Sequence, residues 1–191
     1  MKRTLLILAT LLLTVLAHAQ HMVYDTNVRT LQVTLNDNPL LPPVLKLGKS
    51  SFLRISWDEM SHDYHRYVYR IQHCTRDWEP TEDLFESDYL HGTNGLPVED
   101  YETSFNTTQL YTHYSLTFPN RDASVLLSGD YKLLVYEEDF MDNGPIIEVR
   151  FHVVEAEMGL TMQVSSNTDI DFDDKHQQVS LNLTYGGIKV T

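Results

Sequence analysis

Histidines and a single cysteine are the first residues in this sequence that could take part in chemistry. Four of the nine histidines and the cysteine lie in one segment of the chain: His62, His65, His73, Cys74 and His91. A zinc site needs several such ligands in tetrahedral geometry, and familiar sites supply them as closely spaced pairs in two places. This segment holds only one short pair of histidines, and residues three apart on an extended chain point to opposite faces. The pattern therefore favours polar turn residues, and we expect no metal site.

Alternating carboxylates near the end of the sequence resemble the start of a calcium-binding loop. Asp169, Asp171 and Asp173 could direct several oxygens at one hard cation. The sixth position of this loop is Asp174 rather than glycine, and the twelfth is Ser180 rather than glutamate, which excludes an EF-hand. A calcium site of another kind and a solvated turn between strands both remain open for the three aspartates.

The sequence lacks the motifs of the common enzyme classes. It contains no Gly-x-Ser-x-Gly, phosphate-binding loop, dinucleotide fingerprint or His-Glu-x-x-His. Adjacent carboxylates such as Glu82 and Asp83 do not make a glycosidase site, because that chemistry needs two carboxylates that face each other across a cleft. We therefore expect no catalytic residues, no cofactor and no small-molecule ligand.

Large aromatic side chains are concentrated in residues 72–120, a long segment with little strand-like alternation until its end. Five of them stand out: Trp78, Phe85, Tyr89, Tyr101 and Phe105. Long structured loops often carry function, and aromatic residues are favoured at interfaces. The same side chains could instead pack on one another and keep the loop ordered. Our candidates for partner binding are Trp78, Phe85, Tyr89 and Tyr101.

Strands with one buried face must hold this aromatic segment. An alternation of apolar and polar residues with a period of two predicts strands around Val33, Ile55 and Tyr69. The strand that ends near Gln72 leads into the aromatic segment, and another that ends at Phe118 leads out of it.

A later hairpin gives the clearest strand pattern, because the apolar run KLLVYE precedes the polar turn DFMDNGP and the alternating run IIEVRFHVVE follows it. Before it, the residues Leu127-Ser128-Gly129-Asp130-Tyr131 resemble the Leu-x-x-Gly-x-Tyr pattern of the tyrosine corner of β-sandwiches. In that corner the tyrosine hydroxyl forms a hydrogen bond with the backbone of the residues just before it. Tyr131 is either this corner residue or an ordinary strand aromatic. Together the patterns predict six or seven strands between Val23 and Glu155, hence an all-β, immunoglobulin- or fibronectin-like sandwich with a long aromatic loop.

Three regions are expected along the chain. Residues 1–19 have the charged, apolar and small-residue order of a secretory signal peptide. Residues 20–156 form the sandwich, and residues 157–191 begin a second β region with only two strand patterns. Because a two-stranded ribbon is marginal alone in water, we expect this second region to be truncated from a longer parent.

The net charge and the cysteine content limit the partners and the kind of membrane association that we expect. The net charge of −13 becomes more negative when Lys2 and Arg3 leave with the signal peptide, which argues against a nucleic-acid partner. No cysteine stands at the expected cleavage site, so we expect no lipid anchor. Cys74 is the only cysteine in the sequence and is expected to be a buried free thiol. These features are typical of an exported, acidic binding or interaction module.

Two ordered blocks of residues recur in a known protein family. The first block is Gln72-His73-Cys74, Asp77-Trp78, Leu84, Ser87-Asp88-Tyr89-Leu90 and Gly92. The second is Asp100-Tyr101, Ser104-Phe105-Asn106-Thr107, Tyr111-Thr112-His113-Tyr114 and Phe118-Pro119-Asn120. Both blocks resemble the plug protein of the type IX secretion system, and the likeness runs from about Val28 to Glu155.

The resemblance implies a periplasmic protein, peripherally associated with the outer membrane, that docks on the inner mouth of the outer-membrane β-barrel translocon of type IX secretion. It implies that the protein closes this channel by steric occlusion and is not an enzyme. The residues themselves leave a second hypothesis open, a carbohydrate-binding or carbohydrate-processing β-sandwich, which the aromatic side chains and acidic turns motivate.

Overall fold

The computed structural model describes residues 21–61, 63–155, 158–166 and 176–185, and the chain divides after Val154 into two compact units. Three features predicted from the sequence lie outside the described residues: the signal peptide at residues 1–19, His62 of the histidine pair, and the aspartates Asp169, Asp171 and Asp173.

Strands make up most of the described residues. In the first unit they are β1 (His21–Val23), β2 (Val28–Leu35), β3 (Val44–Lys46), β4 (Leu53–Glu59), β5 (Tyr67–Cys74), β6 (Leu90–Gly92), β7 (Leu96–Pro97), β8 (Asp100–Thr103), β9 (Thr112–Phe118), β10 (Ala123–Val125), β11 (Gly129–Glu137) and β12 (Ile147–Val154). A short helix, α1 (Glu86–Tyr89), precedes β6, and a 3-10 helix (Glu138–Asn143) connects β11 to β12. The second unit contributes β13 (Met158–Ser165) and β14 (Gln178–Tyr185).

Two sheets form the first unit. The larger has the order β1-β12-β11-β5-β7, with β3 beside β12 as a sixth strand, and the smaller has the order β2-β4-β9-β8. All neighbours in these two sheets are antiparallel except β3 and β12. A separate two-stranded sheet joins β6 to β10.

The two sheets share one hydrophobic core, in which eight aromatic residues pack among aliphatic side chains. Every second side chain of β4 and β9 is buried, as the alternation in the sequence predicts. Within the smaller sheet, Trp57 stacks on Tyr114 with ring centroids 5.5 Å apart. Between the sheets, Tyr67 meets Tyr114 at 4.8 Å and Phe151 meets Phe118 at 5.8 Å. These contacts confirm the predicted all-β, sandwich-like fold.

The aromatic segment contains more strand than its sequence suggested. Between β5 and β9 it forms α1, β6, β7 and β8, so it is not simply a long loop. β7 adds an edge to the larger sheet beside β5, and β8 adds an edge to the smaller sheet beside β9. Strands of two to four residues are too short to show a clear alternation, which is why the sequence pattern missed them.

The second unit is an antiparallel hairpin of β13 and β14, paired from Met158 opposite Tyr185 to Ser165 opposite Gln178. One face of this ribbon carries eight large apolar side chains, all of them exposed: Met158, Leu160, Met162, Val164, Val179, Leu181, Leu183 and Tyr185. Among the described residues of both units, no helix is long and apolar enough to cross a membrane.

Candidate partner-binding site

Trp78, the first sequence-based candidate, lies in the tight turn that follows β5. Its backbone amide donates a 2.9 Å hydrogen bond to the Thr75 carbonyl, and its φ of +64° is in the left-handed region, which is uncommon for a bulky residue. This turn folds the half-buried indole over the outer face of the larger sheet. There the ring lies 5.1 Å from the Arg150 guanidinium and 5.5 Å from the His152 ring. Trp78 therefore packs on its own sheet, with a cation–π contact to Arg150.

A buried carboxylate lies beside this arginine on the outer face of the sheet. Glu148 is only 6% exposed, although strand alternation predicts a polar, outward position for it. Arg150 Nε lies 2.7 Å from its carboxylate, and Lys132 Nζ lies 3.6 Å away. The Tyr24 hydroxyl donates to the other carboxylate oxygen at 3.2 Å. Two cations and one phenol thus compensate the burial of a single charge.

Tyr89 and Phe85 have opposite surroundings although they flank the same short helix. Tyr89 is 8% exposed, belongs to the hydrophobic core and contacts the rings of His73 and Tyr131 at 5.9 and 6.1 Å. Burial raises the pKa of its phenol. Phe85 is 79% exposed, and its backbone amide donates to the Asp88 carboxylate at 2.9 Å. Tyr89 supports the segment from inside, whereas Phe85 offers its ring to the solvent.

Tyr101, the fourth candidate, lies on the edge strand β8 and is 43% exposed. Its ring contacts Tyr64 at 4.8 Å and Tyr114 at 5.9 Å, so it links the surface to the core. None of the ring contacts among the described residues joins two of the four sequence-based candidates. The structure thus separates Trp78, Phe85, Tyr89 and Tyr101 instead of gathering them into one patch.

A different group of apolar side chains is gathered at one end of the sandwich. At this end β4, β8 and β11 finish and β5, β9 and β12 begin, as the pairings of Glu59 with Thr112 and of Glu137 with Tyr67 show. Four connecting segments lie there: residues 24–27, residues 60–66 apart from the undescribed His62, residues 104–111, and residues 137–146, which start at the last residue of β11. Seven large side chains are exposed at this end: Tyr24, Tyr64, Tyr101, Phe105, Leu110, Phe140 and Met141. We call these side chains, together with the four loops, the aromatic end.

Hydrogen bonds fix the 60–66 loop of the aromatic end to both sheets. Glu59, 2% exposed, accepts bonds from the Ser61 backbone amide at 2.9 Å and the Ser61 hydroxyl at 2.7 Å. His65 Nδ1 lies 2.7 Å from the Glu137 carboxylate at the end of β11. The His65 backbone amide donates to the Tyr114 hydroxyl at 3.0 Å. Since Glu59 and Tyr114 belong to the smaller sheet and Glu137 to the larger, the loop ties the two sheets together.

Ser61, His65 and Glu137 have the connectivity of a hydrolase triad, with Ser61 Oγ 3.0 Å from His65 Nε2. A serine nucleophile must be able to pass its hydroxyl proton to the imidazole. Here the hydroxyl lies closer to the buried Glu59 carboxylate, which takes its single proton as a hydrogen bond. The arrangement forms a hydrogen-bonded clamp, which we call the His65 clamp.

The loops of the aromatic end carry mostly negative charge. They contain six carboxylates and one arginine: Asp25, Asp63, Glu137, Glu138, Asp139, Asp142 and Arg66. The arginine is already paired, because Arg66 Nε lies 2.9 Å from the Glu138 carboxylate. A cavity of about 200 Å³ opens between two of the loops and is lined in part by Tyr24, Asp25, Glu137, Phe140 and Ile146. The aromatic end is thus an apolar surface whose loops also carry several acidic side chains.

Metal and thiol chemistry have little support in the part of the chain that the structure describes. Within those residues, no group of three or more histidine, cysteine, aspartate or glutamate side chains could hold a metal ion. The thiol of Cys74 is buried, as expected, and burial raises its pKa to about 11. A protonated, inaccessible thiol is a poor nucleophile near neutral pH.

Comparison with known proteins identifies relatives over most of the chain. A family model described as the type 9 secretion system plug protein first domain matches residues 28–155. A hypothetical protein from Parabacteroides merdae ATCC 43184, for which there is a crystal structure, is 33% identical to this chain in sequence. The two structures are similar, with a TM-score of 0.74. The match covers 92% of this chain but 44% of that protein, so the chain spans less than half of the relative's length. No curated protein matches the sequence.

Proposed function

Since the chain belongs to the type IX secretion system plug protein family, we propose that it is a periplasmic subunit that binds and closes the periplasmic mouth of the outer-membrane translocon barrel. The observation that carries this proposal is the family match over residues 28–155, which covers nearly all of the β-sandwich. The family also suggests a non-enzymatic, structural role.

The proposed mechanism is steric occlusion by a folded domain that binds reversibly. A plug must resist deformation when it covers a channel, and the close-packed core of this sandwich, which includes eight aromatic residues, suits that requirement. The His65 clamp adds a polar link between the two sheets at one end. In this mechanism no covalent bond forms or breaks, and release depends only on competition for the docking surface.

The proposed location requires export across the inner membrane. The predicted signal peptide at residues 1–19 would supply it, and no lipid anchor is part of the proposal. The acidic composition suits a partner whose contact surface is basic. A carbohydrate-binding role has no comparable support, since the half-buried Trp78 contacts its own sheet and the family match points to secretion.

The decisive experiment is deletion of the gene in a strain with a working type IX system, followed by measurement of outer-membrane leakiness to a normally excluded dye. We expect dye entry to increase, and expression of the full-length protein to restore the barrier. Affinity purification of the tagged protein should recover the translocon barrel. An intact barrier after deletion, together with recovery of the protein free of any barrel, would exclude the proposed role.

A further inference from the structure

We infer that the aromatic end is the surface that docks on the translocon, against a protein surface that offers apolar pockets surrounded by basic side chains. This inference rests on the proposed function and goes beyond it, because it names the docking surface and the chemistry of the partner. The surface comes from four loops distant in sequence and was not among the sequence-based candidates, apart from Tyr101.

Exposure of apolar area is the first observation. Phe105, at the tip of the β8–β9 hairpin, is 84% exposed, and six further large side chains lie exposed on β8 and on the four loops of the aromatic end. Apolar surface left in water is a cost that burial in an interface removes, at about 25 cal/mol per Å². Aromatic residues of this kind dominate the energetics of protein interfaces.

Rigid support is the second observation. Tyr64 and Tyr101 do not stand alone in solvent, since a series of ring contacts connects them through Tyr114 to the buried Trp57. The last of these contacts is a stack with an interplanar angle of 11°. Side chains that are already ordered lose little conformational entropy on binding, so more of the contact energy appears as affinity.

Hydrogen bonds also hold the backbone of the loop that carries Tyr64. The His65 clamp fixes one side of the loop, and the Glu138 backbone amide donates to the Arg66 carbonyl at 2.8 Å on the other side. The latter bond also joins the 60–66 loop to the 137–146 loop, which bears Phe140. Two of the four loops are thus joined before any partner arrives.

Charge identifies the partner's chemistry. Six carboxylates and a single arginine, itself paired with Glu138, surround the apolar side chains. A second copy of this chain would bring the same negative charge to the interface and would be repelled. A partner surface rich in lysine and arginine is instead attracted, and such complementarity raises the association rate in a salt-dependent way.

The test uses the full-length protein and the purified translocon barrel of the same secretion system, with binding measured by biolayer interferometry. We expect the double variant Phe105→Ala/Phe140→Ala to bind about 30-fold more weakly, the effect of losing about 2 kcal/mol at a hot spot. The double variant Asp139→Asn/Asp142→Asn should associate more slowly, with a smaller dependence on salt. Circular dichroism should show that both variants remain folded.

Two variants provide matched controls. Phe85→Ala removes an equally large aromatic ring that is 79% exposed, and Leu40→Ala removes a 90% exposed side chain near the opposite end of the sandwich. Both should bind like the natural protein. Binding that is lost in Phe85→Ala but kept in the aromatic-end variants would overturn the inference and leave the proposed function standing. If the natural protein does not bind the barrel at all, both proposals fail.

Discussion

The Tyr131 hydroxyl donates a 2.9 Å hydrogen bond to the carbonyl oxygen of Leu127, four residues earlier in the chain. The phenol is fully buried at the start of β11, and burial raises its pKa. Between the two residues, Gly129 has a φ of +148°, and a Cβ at this position would lie 2.5 Å from His73 Nε2. Tyrosine and glycine thus shape this corner together, and the bond predicted from the sequence is confirmed.

Tyr131→Phe should lower the free energy of unfolding by about 1 kcal/mol, because it removes one buried hydrogen bond and keeps the ring. Urea denaturation monitored by circular dichroism measures the difference. Tyr136→Phe is the control, since this half-buried residue is on the same strand and loses the same hydroxyl. An equal loss of stability in the two variants would show that the hydrogen bond to Leu127 contributes nothing beyond the loss of a hydroxyl group.

Glu148→Ala should destabilise the protein by about 3 to 5 kcal/mol, because Arg150 and Lys132 would be left partly buried without their shared carboxylate. Chemical denaturation provides the value. Arg121→Ala is a control, since the Arg121–Asp122 pair is exposed and should contribute nothing measurable. A loss below about 1 kcal/mol for Glu148→Ala would mean that solvent replaces the missing carboxylate.

Gly92→Ala should be much more harmful than Gly95→Ala. Both glycines have positive φ values, +99° and +82°, so alanine is strained at either position. The added Cβ at Gly92 would lie 2.0 Å from the Asp122 carbonyl oxygen, whereas no atom lies within 4 Å of the corresponding position at Gly95. We expect Gly95→Ala to cost about 1 to 2 kcal/mol and Gly92→Ala to disrupt the pairing of β6 with β10. Melting temperatures of the two variants, measured side by side, give the comparison.

Cys74 should make the stability of the protein fall at alkaline pH. Burial raises the pKa of its thiol from about 9 to about 11, so the folded state holds the proton more tightly than the unfolded chain does. This contribution is complete below about pH 9 and is lost as the pH rises through about 11. Urea midpoints measured across this range should decline, and those of Cys74→Ala should decline less steeply.

Buried tyrosines will produce part of the same alkaline decline, because burial also raises the pKa of Tyr67 and Tyr131. The difference between the natural protein and Cys74→Ala isolates the contribution of the thiol. As an independent check, Ellman's reagent at about pH 8 should react slowly with the folded protein and rapidly after denaturation. Rapid reaction with the folded protein would contradict the burial of the thiol.

Local patterns in the sequence were sufficient to predict the long strands and the corner. β4, β9 and β12 show alternation of apolar and polar residues over seven residues, because each strand has one inner and one outer face. The tyrosine corner was also predictable, since Tyr131 and Leu127 are close in the chain. In each case the residues that determine the structure are near neighbours in sequence.

Tertiary structure decided the features that depend on residues far apart in the chain. Buried Glu148 accepts a hydrogen bond from Tyr24 in a distant segment, and the short strands β7 and β8 pair with the edges of longer ones. The aromatic end needs four loops that folding brings to one end of the sandwich. The sequence by itself therefore determined the strand framework and the family, through periodicity and local motifs. Which side chains are left exposed together was decided by the packing of the two sheets, because solvent exposure depends on every neighbour that the fold supplies.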